Sequence, residues 1–203
     1  MNLVERVKRL LLQPREEWQV IDTEPVDIAA LYKAYIVPLA AIGPVCSLIG
    51  MWLIGITVPM MGTFRVPFGA ALAQSVVHYV LTLGGVYVVA LIIDALAPTF
   101  GAQRSVPQAL KLAAYASTAS WVAGVVMLIP ALGLLGLLAA LYSLYLLYLG
   151  LPILMRAPED KVVGYAAVVV ISAVVLFIVV GAVGNLFITM PAPMLPSGGA
   201  MSH

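Results

Sequence analysis

Phe68 to Ile93 reads FGAALAQSVVHYVLTLGGVYVVALII, 26 residues without one Asp, Glu, Lys or Arg. As an α-helix it rises about 39 Å at 1.5 Å per residue, enough to cross a hydrocarbon core of about 30 Å. Arg65-Val66-Pro67 precedes it and Asp94 closes it. Outward from this stretch the pattern repeats. Apolar runs cover Tyr35 to Met61, Ala109 to Ile129, Leu132 to Leu154 and Val162 to Met190. The expected fold is all-α, a polytopic membrane bundle of about five transmembrane helices preceded by an amphipathic segment.

Composition agrees. Of 203 residues, 63% are hydrophobic and 9% charged, against about 45–50% and about 25% in soluble domains. Five spans fill the length and leave no room for a second, water-soluble domain. The net charge of +1 offers no electrostatic footprint for nucleic acid. The single cysteine, Cys46, lies in an apolar run and by itself makes no redox pair or thiolate cage.

Residues 1–33 hold eleven of the nineteen charges. Leu3, Val7, Leu10 and Leu11 share one helical face, and Arg6, Lys8 and Arg9 lie mostly off it. That pattern suits a helix lying on lipid headgroups, and equally one packed on the protein's own inner surface. Pro14 suits the first position of a second short helix, with Glu16 and Glu17 in its first turn. Asp27 is the expected cap of the first span, and Pro38 and Pro44 should bend that span. Ser105-Val106-Pro107-Gln108 reads as a capping box opening the third span. Residues 34–190 form the membrane domain. Residues 191–203, with three prolines including Pro191, are expected to be an external disordered tail.

Nine of the ten Lys and Arg residues fall on the N-terminal side of the membrane, and only Arg65 falls on the other. The positive-inside rule then puts the N-terminus in the cytoplasm and the C-terminus outside, across the inner membrane in a bacterium.

Gly101 in a short loop, then Lys111-Leu112-Ala113-Ala114-Tyr115-Ala116-Ser117, then Leu128-Ile129-Pro130, resemble the Yip family of Ypt/Rab-interacting membrane proteins in its compact form. The Pro14-x-x-x-Trp18 pair adds to the likeness, which covers Pro14 to about Leu176. Pro14, Trp18, Gly101, Tyr115 and Pro130 are its carriers. The resemblance implies five spans, a cytoplasmic N-terminus and a membrane-organising or scaffolding role without a known reaction. Two features depart from it. Ala119 stands where the family often has proline, and Gly43-Pro44 lacks the acidic residue of the eukaryotic Asp-Leu-x-Gly-Pro element. The long N-terminal region of the trafficking members is also absent, which puts binding of a Rab-like GTPase in doubt.

Three constellations remain. Gln74, His78 and Thr82 at i, i+4 and i+8 make a polar stripe on the second span. Such groups usually face the protein interior, so His78 is expected to bond Ser117, Thr118 or Tyr142. The alternative is a solute path in a small oligomeric transporter or channel. Ala116, Ser120 and Gly124, with Gly136 and Ala140, form small-residue faces for helix packing, within the chain or in a homo-oligomer. Tyr142, Tyr145 and Tyr148 lie three apart; an inner aromatic belt explains Tyr148 best, and the deeper Tyr142 is expected to donate a hydrogen bond to a neighbouring helix. The external methionines lack Met-x-x-Met spacing, and no cofactor or metal is expected. No Walker, Gly-x-Ser-x-Gly, His-Glu-x-x-His or Gly-x-Gly-x-x-Gly sequence occurs, so no enzyme is expected. The partners are the lipid bilayer and other membrane proteins.

Overall fold

The computed structural model describes residues 2–58, 62–64, 67–128 and 133–186. It contains five helices long and apolar enough to span a membrane: Ile28–Leu53, Phe68–Phe100, Val106–Val126, Leu135–Leu154 and Val162–Val179. Two short helices, α1 (Leu3–Leu12) and α2 (Pro14–Thr23), precede them. The tail at 191–203 and Pro130 lie outside the described residues.

The first span starts at Ile28 because the Asp27 carboxylate accepts from the Ala29 and Ala30 amides, at 2.9 and 3.1 Å. That satisfies two of the donors every helix start leaves open. The span is not one smooth helix. Its turns widen to π geometry at Tyr32–Ile36 and Gly50–Ile54 and break at Ala41 between the two prolines. Tyr79 of the second span donates to the Val37 carbonyl at 3.0 Å beside the break, as expected where proline disturbs a membrane helix.

The span ends at Ile54 instead of Met61. Gly55 takes φ 88°, which a side chain would resist. A two-stranded antiparallel ribbon follows, β1 (Ile56–Val58) with β2 (Gly62–Phe64), Thr57 opposite Thr63. The second span runs unbroken from Phe68 to Leu96.

The third span is central. Most of it is buried, whereas less than a third of each of the other four is buried. Large apolar side chains such as Val80, Leu137, Leu138, Ile171 and Ile178 stand exposed. In lipid such exposure carries no penalty, because acyl chains are as apolar as leucine. The buried core instead gathers toward the N-terminal side of the bundle, around Leu10, Trp18, Ile21, Ile93, Leu112, Leu151 and Tyr165. The two loops on that side are tied together. Phe100 stacks on Tyr165 with centroids 4.9 Å apart, and the Gln103 amide donates to the Met155 carbonyl at 2.8 Å.

The N-terminal helices pack on the chain's own bundle, the second of the two arrangements open from sequence. α2 lies lengthwise along the fourth span, and α1 packs on α2. Tyr142 donates to the Leu11 carbonyl at 2.7 Å near the α1–α2 turn, and Arg156 bonds Asp22 at 2.7 Å near the end of α2. Those two anchor points are fourteen residues apart on the chain, about 21 Å of helix.

Candidate functional site

Where α2 meets the third and fourth spans, the chain gathers four charges, three of them buried. Arg6 and Glu17 are 6% and 2% exposed, and Lys111 is 4% exposed. Glu24 is half-buried. The Arg6 guanidinium donates to Glu17 at 2.6 Å and, through its other nitrogen, to Glu24. Burial works against the charge on Arg6. The Glu24 hydrogen bond and the nearby carboxylates outweigh it and hold the Arg6 pKa above the ordinary arginine value. Lys111 opens the third span and reaches back to α2, donating to the Ile21 carbonyl at 2.8 Å and the Glu24 carbonyl at 2.6 Å. A cation over the last carbonyls of a helix is favoured by the helix dipole.

An aromatic cluster supports these charges. The Arg6 guanidinium lies over the Tyr115 ring, 5.8 Å from its centroid, within range for a cation–π contact. Trp18 meets Tyr115 edge-on at 6.2 Å, and Tyr35 packs on the same ring at 4.5 Å. Tyr35 and Thr118 share a hydrogen bond of 2.7 Å. Trp18 also presses on Gly150, where a Cβ would fall 2.9 Å from the indole and 2.4 Å from Leu112. A groove of about 390 Å³ opens beside the cluster, bordered by Glu24, Asp27, Leu31, Tyr35 and Lys111. Two cations and two carboxylates balance here. Chemically the arrangement is a clamp that holds the N-terminal helices to the membrane bundle.

Trp18 and Tyr115, singled out from sequence as separate marks, are thus neighbours in one cluster. Pro14 begins α2 and so sets the register that delivers Glu17 and Trp18. Gly101 takes φ 69° after the turn that ends the second span, with Pro158 and Lys161 close by. Asp94 and Arg104 pair with one another, at 2.8 and 3.1 Å through two guanidinium nitrogens. Sequence reasoning missed Arg6, Glu17, Glu24 and Lys111 as a group. The available signal was Lys111 itself, a lone cation at the mouth of an apolar span and therefore in need of acceptors.

The chain matches the model of the Yip1 domain family over residues 8–182. It belongs to that family. Two curated relatives, both called inner membrane protein YohC, come from Escherichia coli K12 and E. coli O6:H1. Each is 29% identical over 119 residues, which make up 59% of this chain and 61% of the relative. The chain therefore aligns with less than two thirds of the length of these relatives. No solved structure matches. The Yip1 domain seen here is an integral membrane bundle of five spans, and residues 8–182 include the whole clamp except Arg6.

The other expected constellations fall elsewhere in the Yip1 domain. Thr82 faces inward but donates to the His78 carbonyl of its own helix at 2.8 Å. Gln74 and His78 are exposed. The expected bond from His78 is not made: Ser117 donates to the Ala113 carbonyl, Thr118 pairs with Tyr35, and Tyr142 reaches Leu11. The small-residue face also divides. Ser120 bonds Ser143 of the fourth span at 2.9 Å. Gly124 instead crosses the first span, where a Cβ would lie 2.8 Å from the Gly43 backbone. Ala116 and Ala140, with Ser120, line a cavity of about 280 Å³ between the second to fifth spans. Ala140 is exposed and Gly136 half-buried, so this part of the fourth span leaves space open.

Proposed function

We propose that this Yip1 domain is a non-enzymatic interaction scaffold of the membrane, with its fixed N-terminal platform as the surface that other membrane proteins engage. The observation that carries this reading is the clamp. The Arg6 ion pairs fasten α1 to α2, and the Lys111 bonds and the tryptophan contacts fasten α2 to the third and fourth spans. The outward side of the platform keeps Val4 and Leu12 exposed, at 70% and 69%, beside the exposed cations Lys8 and Arg9. Such a mixed face suits binding of a partner along the flank of the bundle. Copurification from native membranes tests the reading. A partner should be retained by the parent and lost when Val4 and Leu12 are both changed to serine. Identical partner sets from the two proteins would overturn it.

The platform is proposed to face the cytoplasm, on the nine-to-one distribution of Lys and Arg. A reporter active only outside the cytoplasm should work after Met201 and fail at Glu159. The reverse result would invert the orientation.

A second reading, a small transporter, rests on the cavity between the second to fifth spans. Its hydroxyls at Thr82, Ser117, Ser120 and Ser143 are already bonded within the chain, and the rest of the lining is almost wholly apolar. A solute would have little to replace its hydration. Flux through reconstituted vesicles that is abolished by Ser143→Leu would favour this reading over the scaffold.

A further inference from the structure

The groove beside the clamp is bordered by charged groups whose bonding capacity is not used up. Lys111 carries three N–H donors. Two go to the Ile21 and Glu24 carbonyls, and no described residue accepts the third. Lys111 is only 4% exposed, so water meets that donor poorly, and a buried donor left unmet is costly. Asp27 borders the same groove. Its Oδ1 accepts from both Ala29 and Ala30, which leaves Oδ2 open on an exposed side chain. No cation among the described residues pairs with it. Arg6, by contrast, is spent on Glu17 and Glu24.

The lining also changes character with depth. Glu24 and Asp27 stand before the first span, and Ala30, Leu31, Ala34 and Tyr35 follow on it. Tyr35 lies eight residues beyond Asp27, about 12 Å along the helix. A charged mouth thus leads to an apolar floor where the chain enters the bilayer. Ala30 and Ala34 are short and exposed, which leaves that floor open. An amphiphile has the same order of parts, with its charged head at the interface and its chains in hydrocarbon.

We propose that this groove binds one phospholipid of the adjoining leaflet by its headgroup, and that it selects a zwitterion with a primary amine, of the phosphoethanolamine type. The phosphate accepts the third Lys111 hydrogen, and the ammonium donates to Asp27. The two cations and two carboxylates of the clamp already balance, so Asp27 leaves the groove one negative charge in surplus. An anionic headgroup would be repelled by that charge. A cationic ligand without a phosphate would leave the Lys111 donor unmet. A choline head carries the right charge but has no N–H to give a carboxylate. This inference goes beyond the scaffold reading and does not depend on it.

Native mass spectrometry of the detergent-purified protein tests it. Phosphatidylethanolamine, phosphatidylcholine and phosphatidylglycerol with identical acyl chains are titrated in turn. The parent should bind one phosphatidylethanolamine about tenfold more tightly than either of the others, the scale of a hydrogen bond to a charged group. Asp27→Asn should erase that preference. Asn caps a helix as well as Asp does, so the first span keeps its start. Ala30→Leu, at an exposed position bordering the groove, should abolish the tight adduct by filling the space. Equal affinity of the parent for the three lipids would overturn the proposal. So would a preference that survives Asp27→Asn, or a tight adduct that survives Ala30→Leu. Soluble phosphoethanolamine carries the same head without the chains, and at the lipid's own concentration it should displace little of the bound lipid. Displacement as effective as that by the lipid would assign the groove to a free headgroup and overturn the lipid assignment.

Discussion

Replacing Glu17 with alanine is expected to release α1 from α2. The change removes one of two carboxylates that hold Arg6, a residue only 6% exposed. The guanidinium would be left buried with Glu24 alone, beside the Lys111 ammonium. Breaking a buried ion pair from one side typically costs about 3–5 kcal/mol, because the remaining charge stays out of water. α2 keeps its own ties to the bundle, through the Lys111 bonds to the Ile21 and Glu24 carbonyls, the Trp18 contacts and the Asp22–Arg156 pair, so the loss falls on α1. Trypsin should then cut rapidly at Lys8 and Arg9 in the variant, and amide exchange across residues 3–12 should speed up by orders of magnitude. Equal protection in the parent and the variant would show that apolar packing of Leu10 holds α1 without the ions.

Gly124→Ala is expected to lower thermal stability in detergent by about 1–3 kcal/mol, the usual range for overpacking. The added Cβ would stand 2.8 Å from both Cα and N of Gly43. Backbone faces backbone there, so no rotamer change relieves the clash and the first and third spans must move apart. Gly84→Ala is the matched control, since its Cβ meets nothing within 4 Å. A Gly124→Ala protein as stable as the Gly84→Ala protein would mean that the two spans do not cross closely.

The spans were legible in the sequence because hydrophobic length is a one-dimensional property. Caps were legible for a related reason. Asp27 and Ser105 act on amides two or three residues away, within reach of local pattern. The clamp was not legible, since Arg6, Glu17 and Lys111 are distant along the chain and only the folded bundle unites them. The Gly43–Gly124 crossing was hidden in the same way. The first span was drawn too long because a ribbon of Ile56, Thr57 and Val58 is as apolar as the helix before it. The direction of Gln74 and His78 was misjudged for another reason. A helix apolar on every side has no polar face from which to infer which way a stripe points, and depth alone suggested the interior.

The central third span also constrains how this protein is made. It is the least apolar of the five and carries Lys111, whose acceptors among the described residues lie at the end of α2. A lysine released alone toward the bilayer centre costs about 2.5–3.5 kcal/mol on insertion scales, and near a helix end it escapes part of that cost by reaching for water. The short link to the fourth span and the Ser120–Ser143 bond give it a companion as it leaves the insertion machinery. Its biogenesis is therefore cooperative: the third and fourth spans enter as a helical hairpin, and the N-terminus, made first, must wait beside the membrane until Lys111 arrives to fasten it.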